Sequence, residues 1–469
     1  MKKIITIIIT IFVLLNGQTF QVGENGAVVS ASKIASDVGL QIMQKGGNAV
    51  DAAIAVGFAL AVVYPPAGNI GGGGFMVVRE PDGNVTTFNF REKAPRKAHR
   101  DMYLDENGNP VDDLSTFGPL ASGVPGAVAG YALAHRKFGT LDWSDLLGPS
   151  VDLARNGFPV SYYIHSGLKY YQDPLSHFES SRNMFYPDGS VPSVRDIIVF
   201  PDLANTIERI AEKGWQEFYR GKTAKELVRS VQAAGGLISM WDLKHYKAQE
   251  REPVHFTYRG YDVYSMPPPS SGGVCLGQIL KTVENFPLSD YGFHSSLSIQ
   301  IVTEAERVAY VNRAHFLGDP DFYNVPVEFL ISDSLGKSIA EKIDLSKATP
   351  STNVQHTEYH ESEETTHFSV TDKEGWAVSV TTTLNGSYGC KFVAGKTGIL
   401  MNNEMDDFSI KPGVPNMFGL IGAEANSIQP QKRMLSSMTP TIVTRNDSLM
   451  WILGTPGGGT IITSVAQVL

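Results

Sequence analysis

Cysteine is scarce in this chain, which has two among its 469 residues, Cys275 and Cys390. Two cysteines in a chain of this size exclude the disulfide framework of small secreted domains. They could pair in an oxidising compartment, but we interpret both as small buried hydrophobic residues. Positive charge is in deficit too, with a formal net charge of −9, and no stretch concentrates Lys and Arg with aromatic residues as a nucleic-acid-binding surface requires. The chain is therefore not expected to bind nucleic acid.

Linkers, internal repeats and long charge runs are missing as well. The composition, 42% hydrophobic and 19% charged residues, is typical of a globular protein. Length alone suggests about three domains, but nothing in the sequence divides the chain. We therefore expect one large, continuously packed domain.

A short apolar run, residues 4–15, follows the basic residues Lys2 and Lys3. It is shorter than the roughly 20 residues that cross a bilayer and is typical of the hydrophobic region of a secretory signal. We assign residues 1–18 to a signal peptide, with cleavage near Gly17. The expected product is periplasmic or secreted and has no stable membrane span after signal removal. An apolar first strand and an uncleaved membrane anchor are the alternatives.

Apolar periodicity predicts a helix-rich first part of the chain. Residues 33–63 show helical spacing with a break at Gly46-Gly47, which indicates two helices. The second, from about 49 to 62, is apolar on all sides and should be buried. Strands at 75–79 and 85–90 are predicted to form a hairpin. Further helices are predicted at 125–134, 146–156, 203–213, 224–234 and 296–317.

Beyond Glu364 the pattern changes to short β-rich segments, at 367–371, 377–383, 439–444 and 450–453. The preceding residues 351–364 are polar, and we expect them to be mobile. Thr365 and Thr366 stand at this boundary and could be ordinary strand residues. Alternatively, cleavage before Thr365 would place a free α-amine beside its hydroxyl, and that amine can act as the general base that a threonine nucleophile needs.

Two further patterns suggest ligand sites but have simpler explanations. The Gly71–Gly74 run could cradle a phosphate, but no Gly-Lys-Ser/Thr follows it, so close backbone packing explains it better. His356 and His360 have the spacing of zinc ligands on a helix, but they lie in the polar segment before Thr365. We therefore predict no metal and no cofactor.

Two other patterns bear on catalysis and leave their alternatives open. Gly457 and Gly458 form either a plain turn or the backbone donors of an oxyanion hole. Arg91, at the end of a predicted strand, forms either a surface ion pair or a bidentate clamp for a carboxylate.

Colinear motifs from about residue 25 to the end resemble those of the γ-glutamyltranspeptidase family, and such a set is far more specific than any single short pattern. Those of the small subunit are Thr365-Thr-His-Phe-Ser-Val, Val380-Thr-Thr-Thr-Leu-Asn385, Asn402-Asn-Glu-Met-Asp-Asp-Phe408, Pro412-Gly-Val-Pro-Asn416, Arg433-Met-Leu-Ser-Ser-Met-Thr-Pro440 and Gly454-Thr-Pro-Gly-Gly-Gly459. Those of the large subunit are Gly46-Gly-Asn-Ala-Val-Asp-Ala-Ala53, Gly71-Gly-Gly-Gly-Phe-Met76, Phe90-Arg-Glu92, Val124-Pro-Gly126, Pro267-Pro-Pro-Ser-Ser-Gly-Gly273 and Leu317-Gly-Asp-Pro-Asp-Phe322.

The resemblance implies an α+β fold, the four-layer αββα sandwich of N-terminal-nucleophile hydrolases. It also implies self-cleavage between Glu364 and Thr365, giving a large subunit (19–364) and a small subunit (365–469) that together form one packed domain. Because related proteins continue past the position of Leu469, we expect the small subunit to be truncated at its C-terminus.

The same resemblance assigns roles to individual residues. Thr365 is the implied nucleophile, Thr383 orients it, and Gly457 and Gly458 form the oxyanion hole. Six further residues bind the amino-acid head group. Arg91, Ser436 and Ser437 are assigned to its α-carboxylate, and Asn385, Glu404 and Asp407 to its α-ammonium. In the empty protein the same carboxylates could instead pair with Arg91.

The implied activity is cleavage of the γ-glutamyl amide of glutathione and related compounds, with transfer of the glutamyl group to amino acids, peptides or water. Residues 412–419 resemble the lid loop of bacterial members, but Phe418 stands where a Tyr is common, so we expect lid closure to depend on packing alone. Two alternatives remain: a glutaryl or β-lactam side-chain acylase on the same scaffold, and a truncated, inactive secreted binding protein.

Overall fold

The computed structural model describes residues 22–350 and 365–469. The expected signal peptide, the polar segment 351–364 with His356 and His360, and Glu364 itself lie outside the described residues.

The strands of the described residues form antiparallel sheets. They are β1 (Gly26–Val29), β2 (Gly73–Arg79), β3 (Val85–Asn89), β4 (Phe158–Pro159), β5 (Ile197–Ile198), β6 (Gln249–Arg251), β7 (Val254–Tyr258), β8 (Tyr261–Ser265), β9 (Thr366–Asp372), β10 (Ala377–Thr383), β11 (Thr441–Arg445) and β12 (Ser448–Leu453). One sheet has the order β1-β9-β10-β2-β3-β6, a second has the order β12-β11-β8-β7, and β4 pairs with β5.

The helices of the same residues lie mostly between β3 and β9. They are α1 (Lys33–Gln44), α2 (Ala49–Val63), α3 (Ala127–Phe138), α4 (Trp143–Asn156), α5 (Tyr162–Tyr170), α6 (Gln172–Ser176), α7 (Glu179–Phe185), α8 (Pro201–Lys213), α9 (Gln216–Arg220), α10 (Lys222–Ala233), α11 (Met240–His245), α12 (Gly272–Val283), α13 (Leu288–Tyr291), α14 (Ser296–Phe316), α15 (Val327–Leu330), α16 (Asp333–Ala340) and α17 (Ile461–Val468). Short 3-10 turns occupy Pro119–Ala121, Gly395–Thr397, Glu404–Asp407, Glu424–Asn426 and Gly458–Thr460.

Helix α2 forms where the sequence predicts a buried, apolar helix. Its N-terminus carries a capping box, in which the Asn48 side chain accepts from the Asp51 backbone N–H and the Asp51 carboxylate accepts from the Asn48 backbone N–H. Every residue of α2 is buried, as its apolar composition predicts. The break between α1 and α2 falls at Gly46, whose φ of +96° favours glycine. The two predicted helices and the β2–β3 hairpin are therefore confirmed.

The elements stack in four layers. Helix α2 packs on β9 and β10 of the six-stranded sheet, whose strands β10 and β2 face β11 and β12 of the second sheet. Helix α12 covers the other face of the second sheet through β7 and β8, and α14 packs on α12. This order of helix, sheet, sheet, helix confirms the predicted α+β, αββα architecture.

The six-stranded sheet brings distant segments of the chain side by side. In the β9–β10 pair Thr366 lies opposite Thr382, and in the β10–β2 pair Thr383 lies opposite Gly73. A Cβ on Gly72 would lie 2.2 Å from the Thr383 carbonyl oxygen, so the Gly71–Gly74 run is explained by close backbone packing. The end of β10 therefore lies between the start of β9 and the Gly71–Gly74 run.

Both cysteines are buried free thiols, as predicted. Cys275 lies in the core beneath the second sheet and Cys390 in the larger core around α2. Within residues 22–350 and 365–469 no helix combines the length and apolar character that crossing a bilayer requires.

Candidate active site

Thr365 lies at the open end of the β9–β10 hairpin, opposite the turn, with its side chain directed inward. The residue is 5% exposed, and its Oγ1 donates to Thr383 Oγ1 at 3.3 Å. Thr383 Oγ1 also accepts from the backbone N–H of Asn385 at 2.9 Å. The hydroxyl of Thr383 is thus held by the chain that follows it and lies against the candidate nucleophile.

The backbone at Thr365 has a φ of +96°, a region that β-branched residues rarely adopt. A residue held in such a conformation costs about 1–3 kcal/mol and persists only where the surrounding structure imposes it. The uncut chain therefore carries strain at the candidate cleavage site.

Thr365 faces a small cavity that collects side chains from both predicted subunits. Its lining consists of Arg91, Thr365, Thr383, Asn385, Glu404, Asp407, Phe418, Leu420, Ser436, Ser437, Met438, Gly458 and Ile461. Nine of the ten residues proposed for catalysis or head-group binding belong to this set. The tenth, Gly457, directly precedes Gly458 in the chain. The free volume is about 20 Å³, room for about one water molecule. Entry of an amino-acid head group therefore requires side chains or the lid to move.

Arg91 is fully buried and pairs with two carboxylates that follow Thr365 in the chain. Its guanidinium donates to Glu404 Oε1 and to Asp407 Oδ2, and also to the carbonyl oxygens of Met434 and Leu435 at 3.2 and 3.0 Å. Of the two predicted alternatives, the surface ion pair is wrong because Arg91 is inaccessible to solvent. The empty site holds the expected internal pairing between Arg91 and the two carboxylates.

Glu92 adds a third acid to this cluster. It is fully buried, its Oε2 lies 3.8 Å from Arg91 Nη1, and neither of its oxygens accepts a well-formed hydrogen bond. Burial raises the pKa of Glu92 to about 7, although the charge of Arg91 opposes this. Burial also raises the pKa values of Glu404 and Asp407 against the same opposing charge. The cluster contains three acidic side chains and one arginine. Binding of a proton or of a cationic ligand group is therefore favoured.

Ser436 and Ser437 lie in the stretch that leads into β11, beside the residues before α12. Ser436 N donates to the Pro269 carbonyl at 2.9 Å, and Ser271 N donates to the Ser436 carbonyl at 2.7 Å. The hydroxyl of Ser436 accepts from Met438 N at 3.1 Å. The segment 267–271 therefore fixes the position of both serines.

Gly457 and Gly458 lie where β12 gives way to a 3-10 turn and then α17, the strand-to-helix transition that the sequence predicts. Their φ values of +127° and +52° both favour glycine. A Cβ on Gly458 would lie 2.8 Å from the Phe418 ring, so the lid packs directly on this glycine.

The expectation that the lid is held by packing alone is wrong. Asn416 Nδ2 donates to Asp407 Oδ1 at 3.0 Å, and Met417 N donates to Asp406 Oδ2 at 2.9 Å. Asn416 Oδ1 also accepts from the backbone N–H groups of Phe418 and Leu420. The prediction considered only the hydroxyl that Phe418 lacks. It overlooked the neighbouring backbone and amide groups, whose hydrogen bonds hold the lid to the carboxylates of Asp406 and Asp407.

Sequence reasoning also missed Glu92, Asn416 and Arg313 as members of the site. Glu92 and Asn416 stand inside motifs that carried the resemblance, so their position was the available signal. Arg313 lies within a helix whose local sequence gives no such signal, and its Nη2 donates to Ser437 Oγ at 3.1 Å.

The chain matches the γ-glutamyltranspeptidase family model over residues 35–469. The glutathione hydrolase proenzyme of Escherichia coli (strain K12) is 49% identical over 449 residues, which cover 95% of this chain and 77% of that relative. The γ-glutamyltranspeptidase of Helicobacter pylori is 42% identical with a TM-score of 0.69, covering 72% of this chain and 96% of that structure. The cephalosporin acylase of Bacillus halodurans has a TM-score of 0.82 at 25% identity, covering 97% of this chain and 82% of that structure. The chain belongs to the γ-glutamyltranspeptidase family.

Proposed function

We propose that this protein is a self-cleaving glutathione hydrolase and γ-glutamyltransferase whose nucleophile is Thr365. The observation that carries the proposal is the placement of Thr365 Oγ1 against Thr383 Oγ1, in a cavity lined by Arg91, Glu404 and Asp407. A candidate hydroxyl nucleophile thus lies beside a charged pocket of the kind that binds a zwitterionic amino-acid head group.

Self-cleavage begins when Thr365 Oγ attacks the Glu364 carbonyl carbon. The peptide C–N bond breaks as an ester to Thr365 Oγ forms, the nitrogen becomes the free α-amine of Thr365, and water then opens the ester to release Glu364 as a carboxylate. The positive φ of Thr365 supports this step, since the dihedral is defined by the peptide that is lost and its strain disappears with it. The large and small subunits remain associated through the shared six-stranded sheet.

In turnover Thr365 Oγ attacks the γ-glutamyl carbonyl, and its proton passes to the Thr365 amine. An α-amine has a pKa of roughly 7.7–8.0, so a sizeable share is neutral and able to accept the proton near pH 7.5. Gly457 and Gly458 N–H groups hold the oxyanion, and collapse of the intermediate expels the amine of the leaving group with that proton. Water, an amino acid or a peptide then takes the glutamyl group from the ester.

The head group is recognised by its two charges. Its α-ammonium takes the place of Arg91 beside Glu404 and Asp407, and its α-carboxylate meets the guanidinium that is thereby released and the hydroxyls of Ser436 and Ser437. The excess of acid over base in the empty cluster supports this exchange, because a bound ammonium supplies the missing cation.

The scaffold is also compatible with a glutaryl or β-lactam side-chain acylase, since the Bacillus halodurans structure is called a cephalosporin acylase. A glutaryl group has no ammonium and would leave Glu404 and Asp407 without a cation. We therefore propose γ-glutamyl over glutaryl substrates. With the signal that residues 1–18 indicate, the protein acts in the periplasm or outside the cell.

The test uses the parent, Thr365→Ala and Thr365→Ser on denaturing gels, with terminal sequencing of the smaller band and hydrolysis of γ-glutamyl and glutaryl p-nitroanilides. The parent is expected to give two bands and prefer the γ-glutamyl compound, Thr365→Ala to stay as one inactive band, and Thr365→Ser to process more slowly. Equal processing of the Thr365→Ala variant would refute the nucleophile, and a preference for glutaryl would refute the substrate.

A further inference from the structure

Arg313 is a second buried guanidinium beside the candidate head-group pocket. It lies on α14 and is 5% exposed. Its Nε donates to Ser271 Oγ at 2.9 Å and its Nη2 donates to Ser437 Oγ at 3.1 Å. No carboxylate in residues 22–350 or 365–469 lies within ion-pair distance of it. Its side-chain hydrogen-bond partners among the described residues are the neutral hydroxyls of Ser271 and Ser437.

A buried cation without an anionic partner is costly, and such groups are normally paired. Arg91 satisfies this rule with Glu404 and Asp407, whereas Arg313 does not. Arg313 is still near the pocket's acids: burial raises the pKa of Asp407, and the charges of Arg91 and Arg313 act against that rise. The position of Arg313 therefore suits an anion that arrives with a ligand.

The hydrogen bonds of Arg313 also fix the direction of a hydroxyl group. A serine hydroxyl has one proton to donate. Because Ser437 Oγ accepts from Arg313, its proton is left for another acceptor, and Ser437 Oγ donates to no other group in the described part of the chain. Ser436 Oγ accepts from Met438 N and is free to donate in the same way. Two adjacent hydroxyl donors therefore line the cavity without an acceptor.

Arg313 reaches Ser436 by a second route. Ser271 Oγ accepts from Arg313 and donates to the Ser436 carbonyl at 2.6 Å. One guanidinium thus orients the hydroxyl of Ser437 and supports the backbone of Ser436.

We propose that Arg313 is a positioning residue for carboxylate recognition: it holds Ser437 as a hydrogen-bond donor toward the substrate's α-carboxylate and supplies the second positive charge of the pocket. This inference rests on the proposed γ-glutamyl function. Arg313 offsets part of the negative charge of Glu92, Glu404 and Asp407, so the α-carboxylate of a head group enters a less acidic pocket. Without Arg313 the excess of acid is larger and repels the α-carboxylate more strongly.

The test compares three p-nitroanilides that differ only in the head group. The γ-glutamyl compound has both charges, the glutaryl compound has the carboxylate alone, and the 4-aminobutyryl compound has the amine alone. For Arg313→Gln we expect kcat/KM to fall about 10- to 100-fold on the first two, mainly through KM, because hydrogen bonds to charged groups contribute on that scale. The 4-aminobutyryl compound should change less than about threefold.

Arg313→Lys keeps the charge but has no planar fork, so an intermediate loss with the same substrate pattern is expected. This variant also covers the case in which Arg313→Gln does not fold. Arg307→Gln is the matched control, since Arg307 lies on the same helix in a partly exposed pair with Glu304, and should change none of the three. Melting temperatures and the extent of self-cleavage are measured for each variant.

Equal losses on all three compounds would overturn the inference, because a merely structural role lowers every substrate alike. Unchanged kinetics on the γ-glutamyl compound would overturn it too. These outcomes differ from failure of the proposed function, in which the parent itself does not hydrolyse the γ-glutamyl compound.

Discussion

Replacing Thr383 by Val tests the hydrogen-bond network around the nucleophile. The change removes one hydroxyl while keeping the branched shape, so β10 stays filled. Both hydrogen bonds that Thr383 Oγ1 accepts are lost, the one from Thr365 Oγ1 at 3.3 Å and the one from Asn385 N at 2.9 Å, together with the long one that it donates to the Asn385 carbonyl at 3.5 Å. The backbone N–H of Asn385, a 3% exposed residue, then has no acceptor there.

The losses of the two hydrogen bonds that Thr383 accepts have different consequences. A neutral hydrogen bond contributes about 0.5–1.5 kcal/mol, so losing the one to Thr365 slows the reaction by roughly 2- to 13-fold. A buried N–H left unsatisfied costs about 1–3 kcal/mol of folding stability. Since Asn385 is itself a proposed contact of the head group, its displacement adds to the kinetic loss. We expect kcat/KM to fall about 10- to 100-fold, together with slower self-cleavage.

The assay measures the half-time of self-cleavage on denaturing gels and γ-glutamyl p-nitroanilide kinetics of the cleaved fraction. Thr383→Ser keeps the hydroxyl and should remain within a few fold of the parent, apart from the loss of about 0.8 kcal/mol for one buried methyl group. Thr371→Val is the matched control, because Thr371 lies on β9 away from the cavity and donates to the Trp376 carbonyl at 2.8 Å. If Thr383→Val matures and turns over at the parent rate while its stability falls, the orienting role is refuted.

Three further substitutions test the charged cluster and the lid. Burial raises the pKa of Glu92 from 4.5 to about 7, so between those pH values the folded protein holds a proton that the unfolded chain has lost, and the free energy of unfolding falls as pH rises. Glu92→Gln removes this pH dependence, so the melting temperature of the variant should decline less than the parent's between pH 5 and 8. Parallel melting curves for the two proteins would contradict the raised pKa of Glu92. Asp407→Asn should raise KM for γ-glutamyl p-nitroanilide about 10- to 100-fold and spare the glutaryl compound, and an equal loss on both would refute the ammonium contact. Asn416→Ala removes the bond to Asp407 and the acceptor of two backbone N–H groups in the lid turn, so limited proteolysis within residues 412–419 should accelerate. Unchanged cleavage would show that these bonds do not hold the lid.

Local patterns predicted the elements that depend on local interactions. The break at Gly46-Gly47, the apolar helix α2 and the β9–β10 hairpin all follow from periodicity and turn residues within short windows. The contact between Thr383 and Thr365 was implied by the family resemblance, and the antiparallel pairing of β9 and β10 explains it.

The charged pocket could not be predicted in this way. Arg91 and Asp407 are 316 positions apart, and only the tertiary fold brings them together. The family resemblance named both residues, and their pairing in the empty site was expected only as an alternative to contact with a ligand. Arg313 had neither a local pattern nor a motif, because its role depends on hydroxyls supplied by the segments before α12 and β11.

The most direct test of the central claim is to follow activity and chain cleavage in one sample. Freshly purified precursor is incubated, and at each time the amount of fragment beginning at Thr365 is measured by intact mass spectrometry beside the rate of γ-glutamyl p-nitroanilide hydrolysis. We predict that activity rises in proportion to the fragment and that uncut chain contributes none. Full activity in a sample whose chain remains continuous through Thr365 would contradict the account.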